Sequence, residues 1–159
     1  MKKIRINKNT ILNLVIAIAS VLIIGGLSSF FTNASSNWYT ELNKPSEFMP
    51  SIIFPIMWSI IYALIAITIF LLIQNKKMDT KSLILFIANG LMQILWCLVY
   101  FTIQSLLGGV IVIILTLISS ILLWSNVYKK DAVCGYILAL YPIWLSLATI
   151  LNMATWILN

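Results

Sequence analysis

Apolar residues run along this chain in five long stretches parted by short polar segments, at about 11–31, 51–73, 82–101, 106–127 and 133–158. A helix rises about 1.5 Å per residue, so about 20 mostly apolar residues cross the hydrocarbon of a bilayer. All five stretches are long enough, and lipid demands helices because every backbone polar group must be satisfied internally. What remains is a ten-residue basic start, a loop of nineteen residues over 32–50, and three connections of four to eight residues. Short connections make antiparallel neighbours. The pattern predicts an all-α integral membrane protein: one bundle of five transmembrane helices over residues 1–159, with the loop 32–50 roofing one end and no room for a soluble domain.

Two spans carry a polar and aromatic stripe. The third has Phe86, Asn89, Gln93, Trp96 and Tyr100 at steps of three and four, and the fifth has Tyr141, Trp144, Ala148, Asn152, Thr155 and Asn159. Opposite the latter lie Ile143, Leu147, Ile150, Ala154 and Ile157, a plain lipid-facing set. The second span adds Trp58 and Tyr62. In lipid such stripes mark the inward face. Counted from the loop end, Trp58, Trp96 and Asn152 share one layer about 8 to 11 Å deep, which predicts a pocket in the outer half of the bundle beneath the loop. Asn89, Gln93 and Asn152 keep two readings, interhelical packing or ligand contact. Trp38, Tyr39, Trp124 and Trp156 also read as interfacial anchors. The small residues Gly25, Gly26, Ser28 and Ser29 in the first span, and Gly108, Gly109, Thr116, Ser119 and Ser120 in the fourth, point to close helix packing or dimerisation.

Composition narrows the chemistry. The chain is 62% hydrophobic and 9% charged and has no histidine, against about a quarter charged in a soluble domain. Imidazole is therefore excluded as base, metal ligand or haem ligand. Across five spans the cations fall unevenly: Lys2, Lys3, Arg5, Lys8, Lys76, Lys77, Lys81, Lys129 and Lys130 lie at one side, Lys44 alone at the other. Nine against one is a positive-inside signal. It predicts a cytoplasmic N-terminus, an external C-terminus and a multi-pass protein of a prokaryotic plasma (inner) membrane. The lysines read as anchors in the inner leaflet and not as a nucleic-acid surface. The basic start before Ile11 and the Thr32-Asn33-Ala34 segment resemble a signal peptide. The 21 residues of the first span exceed an h-region of about 7 to 15, so the span is expected to be retained. Cys97 and Cys134 fall at opposite depths, which predicts neither a disulfide nor a metal cluster. The acids Glu41, Glu47, Asp79 and Asp131 all lie outside the spans, and no nucleophile–base pair is visible.

The loop and the spans beyond it resemble the TspO/MBR family of tryptophan-rich sensory and translocator proteins. The resemblance rests on Trp38, Tyr39, Leu42, Lys44, Pro45 and Ser46, continues through Pro50, Phe54, Trp58 and Tyr62, and recurs at Trp96, Tyr100 and Phe101. It ends with Tyr141, Trp144, Ala148, Leu151, Asn152, Trp156 and Asn159. Departures are Glu47 for an aromatic, Met49 for a proline, Gln93 for an asparagine, Leu140 for a proline, and shifted prolines at Pro55 and Pro142. No basic residue comes after Asn152, which argues against sterol binding.

The resemblance implies a five-helix bundle, commonly a homodimer, that binds protoporphyrin IX, haem or a related tetrapyrrole as ligand, with no cofactor required. The ligand-binding set it implies is Trp38, Tyr39, Lys44, Pro45, Trp58, Tyr62, Gln93, Trp96, Tyr100, Trp144, Ala148 and Asn152, with no catalytic and no metal-binding residue. The leading expectation is a membrane receptor or carrier for porphyrins in tetrapyrrole transport, sensing or stress response. One alternative is light-dependent porphyrin degradation, in which the excited ligand supplies the chemistry; another is a structural or regulatory partner of a different membrane protein.

Overall fold

The computed structural model describes residues 8–33, 36–45, 50 and 52–159. Lys2, Lys3 and Arg5 of the charge count, Ala34, and Ser46, Glu47, Met49 and Ser51 of the loop region lie outside them. The helices are α1 (Lys8–Asn33), α2 (Ser36–Glu41), α3 (Ile53–Gln74), α4 (Thr80–Cys97) with a π-helical turn at Leu98–Thr102, α5 (Leu106–Lys130), α6 (Ala132–Leu138) and α7 (Leu140–Leu158). Five helical segments are long and apolar enough to cross a membrane, the fifth being α6 and α7 together.

Several boundaries differ from the expected ones for local reasons. The second span starts at Ile53, where Pro55 falls in the first turn and has no N–H to leave unpaired, and the Ile53 amide donates to the Pro50 carbonyl at 3.0 Å. Expected as one helix over 133–158, the fifth span is interrupted at Ala139, since Pro142 cannot donate to the carbonyl four residues before it. The fourth span runs three residues past Val127 to Lys130, and the third ends in the π turn. The loop contains a helix, α2, that its composition did not announce.

The spans form a ring. α1 adjoins α3 and α4, α3 adjoins α6 and α7, and α5 lies between α4 and the α6–α7 pair. Residues such as Leu22, Phe30, Ile143, Ile150 and Ile157 stay exposed on the outside, where lipid would meet them. Inside, Ile61, Leu72, Ile113, Leu123, Leu138 and Leu145 are fully buried.

At the lysine-bearing end the two short turns are cross-tied. Asp79 caps α4 by accepting from the Ser82 amide at 2.8 Å and pairs with Lys130; Asp131 caps α6 by accepting from the Cys134 amide at 3.1 Å and pairs with Lys77 at 2.9 Å. Each carboxylate thus meets both a helix N-terminus and a cation. Lys130 and Lys77 respectively, followed by these capping amides, hold the two carboxyls below the usual range. Cys97 and Cys134 are free and buried.

Candidate functional site

α4 and α7 both run from the lysine end to the loop end and face each other across the ring, so their stripes meet level by level. At the lower level the Tyr141 hydroxyl donates to Asn89 Oδ1 at 2.8 Å, and Asn89 Nδ2 donates to Ser119 Oγ at 2.7 Å and to the Thr116 carbonyl at 3.3 Å. At the upper level Trp96 Nε1 donates to Asn152 Oδ1 at 3.2 Å, and Asn152 Nδ2 donates to the Ala148 carbonyl at 2.9 Å. Between them stand Gln93 on α4 and Ala148 on α7. Gln93 Oε1 is buried with no hydrogen-bond partner, and so is the indole Nε1 of Trp144.

Aromatic rings occupy the upper level. Trp58 lies with its centroid 5.8 Å from Tyr62, 6.4 Å from Trp96 and 6.5 Å from Tyr141. Trp96 stacks on Tyr100 at 5.8 Å and meets Phe101 edge-on at 5.7 Å. Successive residues of an α-helix point about 100° apart, yet Tyr100 and Phe101 are both buried; they sit in the π turn, a local widening of the helix of the kind found at functional sites. Tyr100 packs close over Gly109, where a side chain would collide with its ring.

The loop caps this layer. Trp38 reaches Tyr100 at 5.9 Å, and Tyr39 reaches Phe101 at 5.4 Å. Asn159 latches the loop to the end of α7, its Oδ1 accepting from the Asn43 amide at 3.0 Å and its Nδ2 donating to the Asn43 carbonyl at 2.9 Å. Burial raises the Tyr39 phenol's pKa and lowers that of Lys44. Lys44 folds back on its own loop: Nζ donates to the Tyr39 carbonyl and lies 4.2 Å from the centre of the Tyr39 ring.

Trp38, Tyr39, Trp58, Tyr62, Trp96, Tyr100 and Asn152 are thus joined in one connected set, and Gln93 and Ala148 lie at the level between the two hydrogen-bonded tiers. Trp144 is buried against Phe54 at 5.8 Å. Lys44 and Pro45 lie in the loop, and Lys44 does not point into the bundle. Trp124 and Trp156 stand apart: Trp124 Nε1 donates to the Gly135 carbonyl at 3.1 Å near the lysine end, and Trp156 is exposed.

In the outer half, where the pocket was expected, these rings pack on one another. A cavity of about 310 Å³ lies deeper, toward the lysine end, among Ile16, Ser20 and Ile24 of α1, Tyr62, Ile65 and Ile69 of α3, and Phe86, Asn89 and Gln93 of α4, with Tyr141 at its wall. The expected site included no residue of α1, whose faces differ little in polarity. Tyr141 also stood outside the expected site, although the stripe on α7 includes it. Among the described residues no three histidine, cysteine or acidic side chains gather to hold a metal.

Comparison with known proteins matches residues 15–157 to the TspO/MBR family. The chain is 32% identical over 151 residues to the tryptophan-rich protein TspO of Archaeoglobus fulgidus, covering 94% of this chain and 98% of that protein. It is 32% identical over 130 residues to protein CrtK of Rhodobacter capsulatus, covering 77% and 78% of the two chains. It is 29% identical over 153 residues to the tryptophan-rich protein TspO of Chlorobaculum tepidum, covering 94% and 97%.

Proposed function

The chain belongs to the TspO/MBR family, and from that premise we propose that it is a membrane receptor or carrier that binds a porphyrin-class tetrapyrrole inside its bundle. A relative from Cereibacter sphaeroides is named a tryptophan-rich sensory protein, which suits a sensing role. The observation that carries the reading is that Gln93 Oε1 on α4 and Trp144 Nε1 on α7 are buried without a hydrogen-bond partner, as is Ser28 Oγ, in a bundle that also holds the layer of Trp58, Trp96 and Tyr100 rings. An unpaired buried group costs about 1–3 kcal/mol, and a ligand with both donors and acceptors on an aromatic frame relieves it. Trp58 and Trp96 supply faces for a flat macrocycle. At about 310 Å³ the cavity is near the lower end of small-molecule sites, about 300–1,000 Å³. The ring therefore enters as the loop and α1 move aside, and Lys44 leaves Tyr39 for a ligand carboxylate. The nine-to-one charge count favours a loop on the outer side of a prokaryotic plasma membrane.

With no histidine to ligate iron, the grip falls on the ring and not on the metal. The test is a titration with protoporphyrin IX followed by tryptophan quenching, repeated with its iron complex and with the Gln93→Leu and Trp96→Phe variants. Free-base and iron forms should bind comparably, and both variants should weaken binding several-fold. A preference above about 100-fold for either form, near 2.7 kcal/mol, or saturable binding untouched by both substitutions, overturns the assignment.

A further inference from the structure

The lysine-bearing end of the α1–α3 seam holds a second, open pocket of about 330 Å³ lined by Asn9, Leu12, Asn13, Ile73, Gln74 and Lys76. Its polar groups are organised: Asn13 Nδ2 donates to Gln74 Oε1 at 2.8 Å, and Gln74 Nε2 donates to Thr10 Oγ1 at 3.3 Å. Lys76 stands at its rim with φ 55°, just past the end of α3, in the left-handed position where glycine or asparagine is favoured. A lysine there gains nothing for the backbone, so its side chain is what the position offers. The ion pairs described at this end employ Lys77 and Lys130 and leave Lys76 to give the pocket a positive edge.

Ile73 belongs to this pocket and also to the aliphatic cavity above it. One turn deeper the α1 and α3 walls change from Asn13 and Gln74 to Ile16, Ser20 and Ile69, and the α3 wall stays aliphatic as far as Tyr62, eleven residues or about 16 Å up from Ile73, while Asn89 and Gln93 of α4 face the upper part of the same space. The cavity also opens sideways. Ile23 of α1 and Leu83, Ile87 and Leu91 of α4 line it while remaining exposed on the outer surface, so a chain can pass from the bilayer between α1 and α4. A polar, cation-edged pocket at the membrane boundary, separated by Ile73 from a largely apolar slot of that length, has the chemistry of an amphiphile with an anionic head.

We propose that this seam binds one anionic phospholipid of the leaflet at the lysine end, its phosphate held by Lys76 and the Asn9, Asn13 and Gln74 amides, one acyl chain lying in the slot toward Tyr62. The head-group pocket is separate from the proposed tetrapyrrole contacts, but the slot is the same cavity that Gln93 lines, so an acyl chain there and a tetrapyrrole in the bundle exclude each other. Lipid retention measured without any tetrapyrrole reads the lipid alone.

The test is native mass spectrometry of the full chain released from uncharged detergent after incubation with phosphatidylglycerol or phosphatidylcholine of identical chains. Further arms use inorganic phosphate, glycerol phosphate and a free fatty acid. Phosphatidylglycerol should be retained about tenfold more than phosphatidylcholine. Lys76→Gln should lower that retention about fivefold, in line with about 1 kcal/mol per basic residue near a membrane surface. Asn9→Asp, which keeps the pocket's shape and adds a negative charge, should abolish the preference, and Ser20→Phe, which fills the slot, should lower both lipids alike. Lys129→Gln, at the same end but outside the pocket, should do nothing. Equal retention of the two phospholipids, an equal effect of Lys129→Gln and Lys76→Gln, or binding of inorganic or glycerol phosphate as strong as that of the lipid overturns the proposal. Retention of the fatty acid equal to that of phosphatidylglycerol overturns the phosphate assignment.

Discussion

Asn89 bonds through both ends of its amide to two neighbouring helices, and its removal makes a sharp test of how the bundle is held. Asn89→Ala deletes the acceptor of the Tyr141 hydroxyl and the donor to Ser119 and Thr116. Interhelical hydrogen bonds in membrane proteins average about 0.6 kcal/mol with a maximum near 1.7, whereas an orphaned buried polar group costs about 1–3 kcal/mol. Tyr141 is 3% exposed, so its hydroxyl has no water to turn to. The loss for Asn89→Ala should be about 2–3 kcal/mol. Tyr141→Phe should cost about 1 kcal/mol, because Asn89 Nδ2 keeps its partners and the ring keeps its place beside Trp58. With Asn89 already gone, Tyr141→Phe removes the orphan and should cost nothing or restore stability, so the double variant falls short of the sum of the singles by about 1 kcal/mol or more. Reversible unfolding in mixed micelles, followed by far-ultraviolet circular dichroism, measures all three. Additivity within about 0.5 kcal/mol would show that the described bond carries no coupling and refute the reasoning.

Two further outcomes concern the two ends of the bundle. Asn159→Ala removes both bonds that latch the loop to α7; these are exposed, so the melting temperature should hardly change, while the association rate for protoporphyrin IX in stopped-flow quenching should rise several-fold, and an unchanged rate would mean the loop does not gate entry. Asp131 has a carboxyl lowered by Lys77 and the Cys134 amide, so its contribution to stability is fully present above about pH 4, the ordinary aspartate value, and is lost as pH falls below that toward the folded value. Asp131→Asn should therefore show a smaller drop in melting temperature between pH 6 and pH 3 than the parent chain, and an identical drop would deny the ion pair any part in folding.

The spans, their inward stripes and the layer shared by Trp58, Trp96 and Asn152 were legible because lipid permits only helices and because polar side chains within it must face inward. Where the pattern misled, the cause was a property that spacing does not encode. Nothing in the run Trp96–Thr102 distinguishes a π turn from an α-helix, yet that turn brings Tyr100 and Phe101 inward together. The faces of α1 differ little in polarity, so no periodicity assigned its inner face, and the cavity it walls went unforeseen. Lys44 was expected in the ligand-binding set that the resemblance implies; its fold-back onto Tyr39 is a contact within one short loop that composition cannot specify. Geometry separates the interior amides by their bonding, which spacing does not encode: Asn89 and Asn152 have both ends of their amides bonded, and Gln93 Oε1 has no partner.

That separation also constrains how the proposed ligand would lie. The fold satisfies the amides one level below and one level above Gln93 with partners from α4, α5 and α7, so it does not lack the means to satisfy Gln93 as well. Leaving a neutral acceptor there, and a neutral donor on Trp144, favours a ligand edge that carries both kinds of group and no charge. Among the described residues no Lys, Arg, Asp or Glu lines this part of the bundle, and a carboxylate forced into it would meet a desolvation penalty that indole and amide groups offset poorly. The charged edge of a porphyrin therefore has to stay at the loop end, within reach of Lys44, while the uncharged pyrrole edge goes in first beneath Trp58 and Trp96. Esterifying the ligand's carboxylates should on this account weaken binding only through Lys44, and Lys44→Met should erase the difference between acid and ester without touching the contribution of Gln93.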